Sequence, residues 1–405
     1  MTTATKGTQA AQPRPLPAPN SDFYQTLDVL SDAQKAVVQR VRTFMETQVE
    51  PIIEQYWAKG DFPFELVPGI RDLHIAGTSI DGYGCPGGGV LLSCFIATEM
   101  ARVDASIATF FGVHSGLAMG SIYLCGSEEQ RQRWLPDMAA MNKIGCFALT
   151  EPLDGSDVAR GLRTTARRDG DTWILNGQKK WIGNGTFADL AIVWARDVSD
   201  NQVKGFVVEK GTPGYTAEKI ENKMALRVVQ NALITMDNCR VPEINRLQAI
   251  ASFRDTAKVL RMTRAGVAWM ATGCGMGAYE HALAYAQKRF QFGKPIGSFQ
   301  LVQDLLAKML GNVTASQCMV VRLSQMQDEG KLKDHHASLA KAFCTVRMRE
   351  TVAWARELLG GNGILLDEQV ARFFADAEAL YSYEGTREMN TLIVGKAITG
   401  FSAFV

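Results

Sequence analysis

The sequence has almost no excess of charge: 43 Lys and Arg stand against 42 Asp and Glu in 405 residues, a formal net charge of +1. Without a global field to gather nucleic acid or an anionic membrane surface, any anion must be held by a few local groups. Long apolar runs are missing too. No stretch approaches the roughly 20 consecutive apolar residues of a membrane-spanning helix, so no membrane span is expected. The opening segment MTTATKGTQAAQPRPLPAPN lacks the apolar core of a signal peptide. Its Pro, Ala and Thr content reads as a disordered tail over residues 1–25. The eight cysteines (Cys85, Cys94, Cys125, Cys146, Cys239, Cys274, Cys318, Cys344) form no CxxC and have no His at ligand spacing. They read as reduced, mostly buried thiols of an intracellular protein. Histidine is scarce, and the adjacent His335-His336 lacks both i, i+4 spacing and an acidic partner, so no metal is expected.

What is present divides into three segments, which we place at 26–145, 146–245 and 246–405. From Ser31 the apolar period is helical: Ser31 and Gln34 form an S-x-x-Q capping box, and Val37, Val38, Val41, Phe44, Met45 and Ile52 recur along one face to about Tyr56. Helices are also expected over Pro63–His74, Leu91–Arg102, Ala105–Leu124 and Ser127–Met138. Near Cys146 the punctuation changes. Asp169-Gly170 and Asn176-Gly177 read as turns flanking Thr172–Leu175, and β-branched runs follow at Leu190–Ala195, Phe206–Val208 and Ala232–Met236. This is a mostly antiparallel β module. After Val241-Pro242 long helices return: Asp255–Arg289, Phe299–Glu329, one from an Asp334 N-cap to Gly360-Gly361, and a last one from Arg387 to the C-terminus. Strand–helix alternation is absent, which excludes a Rossmann sheet and a TIM barrel.

The glycine-rich segments have ordinary explanations. Gly82–Gly89 has no following Lys-Ser/Thr and is no Walker loop. Gly273-Cys274-Gly275-Met276-Gly277 lies within a helical stretch with no strand before it, so small residues for close helix packing explain it better than a dinucleotide fingerprint. Gly360-Gly361-Asn362-Gly363 suits a helix stop.

Four blocks carry more. Phe147-Ala148-Leu149-Thr150-Glu151-Pro152-Leu153-Asp154-Gly155-Ser156-Asp157 offers hydroxyls and backbone N–H groups to an anion. Lys180-Trp181-Ile182-Gly183-Asn184 places an indole at a strand end, where it can stack on a flat ring. Arg289-Phe290-Gln291-Phe292-Gly293-Lys294-Pro295 ends a helix with a cation and aromatics. Tyr383-Glu384-Gly385-Thr386 sets a carboxylate just before the last helix.

In this order the blocks L-T-E-P-x-x-G-S-D, K-x-W-I-x-N, R-x-Q-F-G-x-P, L-G-G-N-G and Y-E-G-T resemble the acyl-CoA dehydrogenase family from about Ser31 to Phe404, with particular similarity to glutaryl-CoA dehydrogenase and the plant peroxisomal short-chain acyl-CoA oxidases. The resemblance implies an α+β fold with a helical N-terminal domain, a β-barrel-like middle domain and a C-terminal four-helix bundle, FAD as cofactor and a homotetramer. It implies that Phe147, Leu149, Thr150, Gly155 and Ser156 line the flavin and its pyrophosphate, with Ser156 also near substrate, and that Trp181 packs on the isoalloxazine beside Gly183. Arg289, Gln291, Phe292 and Gln300, with Glu357, Leu358 and Gly361, would hold the adenine half across a subunit interface, and Thr386 and Glu388 would close the flavin site. Glu384 matches the catalytic base and Arg264 a helix arginine near the turn that carries it.

The implied reaction is α,β-desaturation of an acyl-CoA, with electrons passed to an electron-transferring flavoprotein. Removing a weakly acidic α-proton while hydride leaves the β-carbon needs one carboxylate and one flavin on opposite sides of the bond. The backbone N–H of Glu384, with a flavin ribityl hydroxyl, would polarise the thioester carbonyl. Two departures bear on this. Many dehydrogenases carry Thr where this chain has Gly183, so the ring could be more open to oxygen and an acyl-CoA oxidase is the alternative; a non-catalytic flavoprotein is disfavoured because Glu384 is kept. The segment Asp104–Phe111 has no Arg for a distal carboxylate, and Thr263 replaces the acidic residue of relatives that move their base to that helix. Phe110 and Phe111, on the segment that by resemblance lines the acyl end, predict a short-chain preference. The final Ser402-Ala403-Phe404-Val405 is no peroxisomal tripeptide, which points to a bacterial cytoplasm or, alternatively, a mitochondrial matrix.

Overall fold

The computed structural model describes residues 16–403; the first fifteen residues of the expected tail, and Phe404 and Val405, lie outside the described residues. Residues 16–25, placed in the expected tail, are described, and several are tied to the fold. Asp22 accepts the backbone N–H groups of Thr26 and Leu27 at 2.7 and 3.1 Å. Ser21 is buried against Glu280, and Gln287 donates to the Pro17 carbonyl at 2.8 Å.

The first segment is helical: α1 (Asp32–Phe44), α2 (Glu50–Lys59), α3 (Leu66–Asp72), α4 (Gly89–Val103), α5 (Ala105–Phe111), α6 (Met119–Cys125) and α7 (Glu128–Ala139). The Ser31–Gln34 capping box forms as expected, and Ser127 with Gln130 makes another at α7. A π-helical turn, Gly112–Ala118, joins α5 to α6. The whole stretch Ala105–Cys125 is long and apolar enough to cross a membrane, but 72% of its most apolar window is buried inside the fold. It is therefore a core helix.

The middle segment holds β1 (Gly145–Ala148), a short α8 (Val158–Gly161), β2 (Thr165–Asp169), β3 (Thr172–Ile182), β4 (Leu190–Asp197), β5 (Val203–Glu209), β6 (Tyr215–Lys219) and β7 (Ala232–Pro242). They form one sheet in the order β1-β4-β2-β3-β7-β6, with β5 on β4. Two pairings, β1–β4 and β2–β4, are parallel; the others are antiparallel. Strand β4 explains the sheet's burial. Ala191, Val193 and Ala195 face a core inside the curl with Trp173, Phe206 and Ile234, while Ile192 and Trp194 face the helices. Asn176-Gly177 is not a turn. It lies inside β3 at a register shift opposite β7, where Gly177 takes φ 144° because a β-carbon would strike Thr164.

The last segment contains α9 (Phe253–Lys288), a hairpin of β8 (Phe290–Gln291) and β9 (Lys294–Pro295), α10 (Gln300–Asp328), α11 (Asp334–Leu358), α12 (Val370–Ser382) and α13 (Arg387–Thr399). Helix α11 lies against α9, α10, α12 and α13. The N-cap of α11 is Lys333, one residue before the expected Asp334, and α12 was not anticipated from periodicity. The glycine run of α9 packs as small residues should: β-carbons at Gly273 and Gly277 would lie 2.4 Å from the Thr98 carbonyl and 2.0 Å from the Arg102 carbonyl of α4. Six of the eight cysteines are buried and all are free thiols.

Candidate active site

The Tyr383–Thr386 turn links α12 to α13. Glu384 holds a left-handed backbone, φ 55°, followed by Gly385 at φ 82°. A non-glycine residue in this region is costly and marks a position the surroundings enforce. The Glu384 carboxylate is half-buried and accepts a hydrogen bond from Thr263 Oγ1 of α9 at 3.0 Å. Burial raises its pKa above the ordinary carboxylate range, opposed by the positive charge of Arg264, the Thr263 hydroxyl and Lys341. Lys341 of α11 donates to the Tyr381 and Gly385 carbonyls at 2.8 and 2.7 Å. Next to the carboxylate, the Tyr383 phenol lies 3.4 Å from Thr109 Oγ1 of α5 and 3.9 Å from the Met270 sulfur.

From Thr263 the contacts lead across the π turn to the sheet. A β-carbon at Gly116 would touch Thr263 Cγ2 at 3.9 Å. At Gly183, just past β3, a β-carbon would meet Val113 Cγ2 at 3.2 Å and Val229 Cγ1 at 3.6 Å. A larger side chain at this position would therefore meet two valines. Trp181, two residues earlier, is 53% exposed and also left-handed, φ 66°, with the Lys180 ammonium 5.3 Å from its ring centre. An indole presented to solvent from an unfavourable backbone conformation fits a platform for a flat ring. Asn184 fixes this strand end by donating to the Phe110 and Gly145 carbonyls at 3.1 and 3.3 Å.

The neighbouring loop is set by an ion pair between the Lys of K-x-W-I-x-N and the Glu of L-T-E-P. Lys179 is fully buried, with Nζ 2.7 Å from Glu151 and 3.0 Å from the Leu149 carbonyl. Glu151 also accepts the N–H groups of Arg163 and Thr164 at 2.7 and 2.9 Å. Breaking such a pair by removing one partner costs roughly 3–5 kcal/mol. Phe147 and Leu149 point into the core, so they can face a ligand only through backbone. Thr150 is half-buried and accepts the Lys180 N–H at 2.8 Å; Gly155 and Ser156 are exposed.

At the far end of α9 the second group collects. Phe292 and Gly293 take φ 51° and 78°, the two left-handed positions of a type I′ turn, and Phe292 stands 93% exposed. Arg289, Gln291, Gln300, Glu357 and Gly361 are also exposed, and Leu358 is half-buried. Asn362 binds the Tyr285 hydroxyl at 2.9 Å, joining the Gly360–Ile364 turn to this end of α9. Thr386 is the N-cap of α13, and Glu388 pairs with Arg387 at the surface.

Phe110 sits among other aromatic rings. Its ring packs 4.7 Å from Phe62 and 6.2 Å from Phe187 and is fully buried, and Phe111 is likewise in the core.

Residues 31–142, 146–239 and 253–399 match the N-terminal, middle and C-terminal domains of acyl-CoA dehydrogenase. An acyl-CoA dehydrogenase of Bacillus subtilis is 33% identical over 374 residues, 91% of this chain and 98% of that protein. The chain belongs to the acyl-CoA dehydrogenase family. The mitochondrial short-chain specific acyl-CoA dehydrogenase of Homo sapiens is 32% identical over 92% of this chain and 91% of its own length. Two crystal structures of glutaryl-CoA dehydrogenase from Mycobacterium smegmatis superpose with TM-scores of 0.90 and 0.92 at 39% and 35% identity, covering 94% and 96% of this chain and 97% and 100% of theirs; the second contains FADH2. This acyl-CoA dehydrogenase is accordingly an FAD-dependent oxidoreductase acting on the CH–CH bond of an acyl-CoA.

Proposed function

We propose that the enzyme desaturates a short- or medium-chain acyl-CoA to its trans-2-enoyl-CoA, with Glu384 as the base. The observation that carries this reading is the Glu384 turn: a carboxylate in an enforced left-handed conformation, desolvated enough to be a stronger base, and bonded to Thr263. FAD, when bound, would supply the acceptor for the β-hydrogen as hydride. Glu384 Oε takes the α-proton, the electron pair of that C–H bond becomes the new double bond, and the Glu384 N–H polarises the thioester carbonyl. Trp181 and the Leu149–Ser156 loop, braced by Lys179 and Glu151, would hold the isoalloxazine and pyrophosphate. Arg289, Gln291, Phe292, Gln300, Glu357, Leu358 and Gly361 would bind the adenine half. Because that second group is so exposed in one chain, a neighbouring subunit of a homotetramer is the natural other half of the site.

A short chain is favoured by the human relative's specificity and by the Tyr383 ring, which occupies the space between α5 and α9 beside the base. A distal carboxylate finds no cation in 104–111, and burying it unpaired would be costly. Valines packed at Gly183 favour dehydrogenase over oxidase, so electrons would pass to an electron-transferring flavoprotein. The test is anaerobic bleaching of the flavin by a panel of acyl-CoAs, followed by aerobic turnover scored for peroxide and for dye reduction. Bleaching by short unbranched chains with dye reduction well above peroxide is expected. Bleaching only by glutaryl-CoA or long chains, or stoichiometric peroxide, contradicts the proposal.

A further inference from the structure

One face of α11 is a stripe of buried small and apolar residues, Ala337, Ala340, Cys344, Met348 and Val352. Lys341 stands within it and is fully buried. A buried ammonium survives only where its donors are satisfied. Its Nζ donates to the Tyr381 and Gly385 carbonyls, at 2.8 and 2.7 Å. These two groups bracket Glu384 in the chain, and the first belongs to the last turn of α12, where carbonyls lack helical partners. Asn390 of α13 completes the hold, donating to the Gly385 and Thr386 carbonyls at 2.9 and 3.0 Å. Burial lowers the Lys341 pKa to about 8, with the negative charge of Glu384 opposing that shift and Arg264 adding to it. The groups facing the Glu384 carboxylate are thus Arg264 and the Thr263 hydroxyl from α9 and Lys341 from α11. From α13, Glu388 acts on Lys341.

We infer that Lys341 is a positioning residue for the reaction: it clamps the strained turn that presents Glu384 and adds a positive charge on the side of α11. The inference rests on Glu384 being the base. Losing the positive charge makes ionisation of Glu384 harder, so the enzyme should need a higher pH to work. Losing the clamp lets the carboxylate leave the geometry the α-proton requires. Neither change alters how the acyl-CoA is held elsewhere.

The experiment measures kcat per bound flavin, KM and the pH profile for Lys341→Met, Lys341→Gln and Lys341→Arg, beside Glu384→Gln. In Lys341→Met, kcat is expected to fall roughly 10–100-fold with KM within about twofold, and the acid limb of the profile to move up. Lys341→Gln keeps a donor without the charge and should show the same limb shift with a smaller loss of kcat. Lys341→Arg, keeping charge and donors, should leave the limb in place. If Lys341→Met does not retain flavin, Lys341→Gln decides. An unmoved limb and wild-type kcat without the lysine charge, with Glu384→Gln inactive, overturn the role of Lys341 alone. An active Glu384→Gln overturns the base assignment beneath it.

Discussion

His114 shows how a single residue ties the π turn to the sheet. Its Nδ1 accepts the Gly145 N–H at 3.0 Å, so Nε2 carries the proton and donates to the Met138 carbonyl at 3.0 Å. Burial lowers its pKa to about 4. A neutral His in the fold with an unfolded value near 6.5 stabilises fully above about pH 6.5. The contribution is lost as pH falls toward 4, because the unfolded chain binds the proton first, and it amounts to roughly 3 kcal/mol at most. Unfolding temperatures between pH 7 and 4.5 should therefore drop more steeply for the wild type than for His114→Gln; parallel curves would contradict this. Glu384 was legible in the sequence because Tyr-Glu-Gly-Thr is contiguous. Thr263 and Lys341 were not legible as its partners, since they come from helices 121 and 43 positions away in the chain and only packing brings them to the turn. A lysine within an apolar helical stripe was the available signal for Lys341.

At the scale of elements, helix α9 and the sequence agree best. The Gly273–Gly277 run predicted close packing, and α4 fills the gap it leaves. Gly277→Ala would drive a β-carbon to 2.0 Å from the Arg102 carbonyl and 2.7 Å from Phe373 Cζ. Backbone cannot yield as a flexible side chain would, so a loss of at least about 1–3 kcal/mol is expected. Gly311→Ala in α10, with open space around it, should be neutral or stabilising by up to about 1 kcal/mol. Equal unfolding temperatures for the two variants would show that α4 and α9 are not so close. Other elements escaped the sequence for physical reasons. The π turn at Gly112–Ala118 keeps the apolar period of an ordinary helix, so nothing in the sequence marked it. In β3, the register shift at Asn176-Gly177 breaks the alternation that would have marked Lys179 as buried. Helix α12 follows a run of glycines and short 3-10 turns, so no cap announced it.

Across the whole molecule, the three segments meet at buried polar groups as well as at the site. Asp376 of α12 accepts from Trp57 Nε1 of α2 at 2.9 Å and from the Leu226 N–H before β7 at 2.7 Å. Arg372 one turn earlier pairs with Asp104 at the start of α5. The candidate site has the same composition: Trp181 and Gly183 come from the sheet, Val113 from the π turn, and Thr263, Lys341 and Glu384 from the last segment. Order along the chain displayed the motif blocks, but only packing brings Thr263 and Lys341 to the Glu384 turn. Removal of the α-proton by Glu384 is measured by anaerobic stopped-flow reduction of the flavin in Glu384→Gln. The amide keeps the shape of the side chain and an acceptor for Thr263, and FAD should stay bound. Flavin reduction by a short acyl-CoA is expected to slow by about 10²–10⁴; reduction at the wild-type rate would show that another group takes the proton.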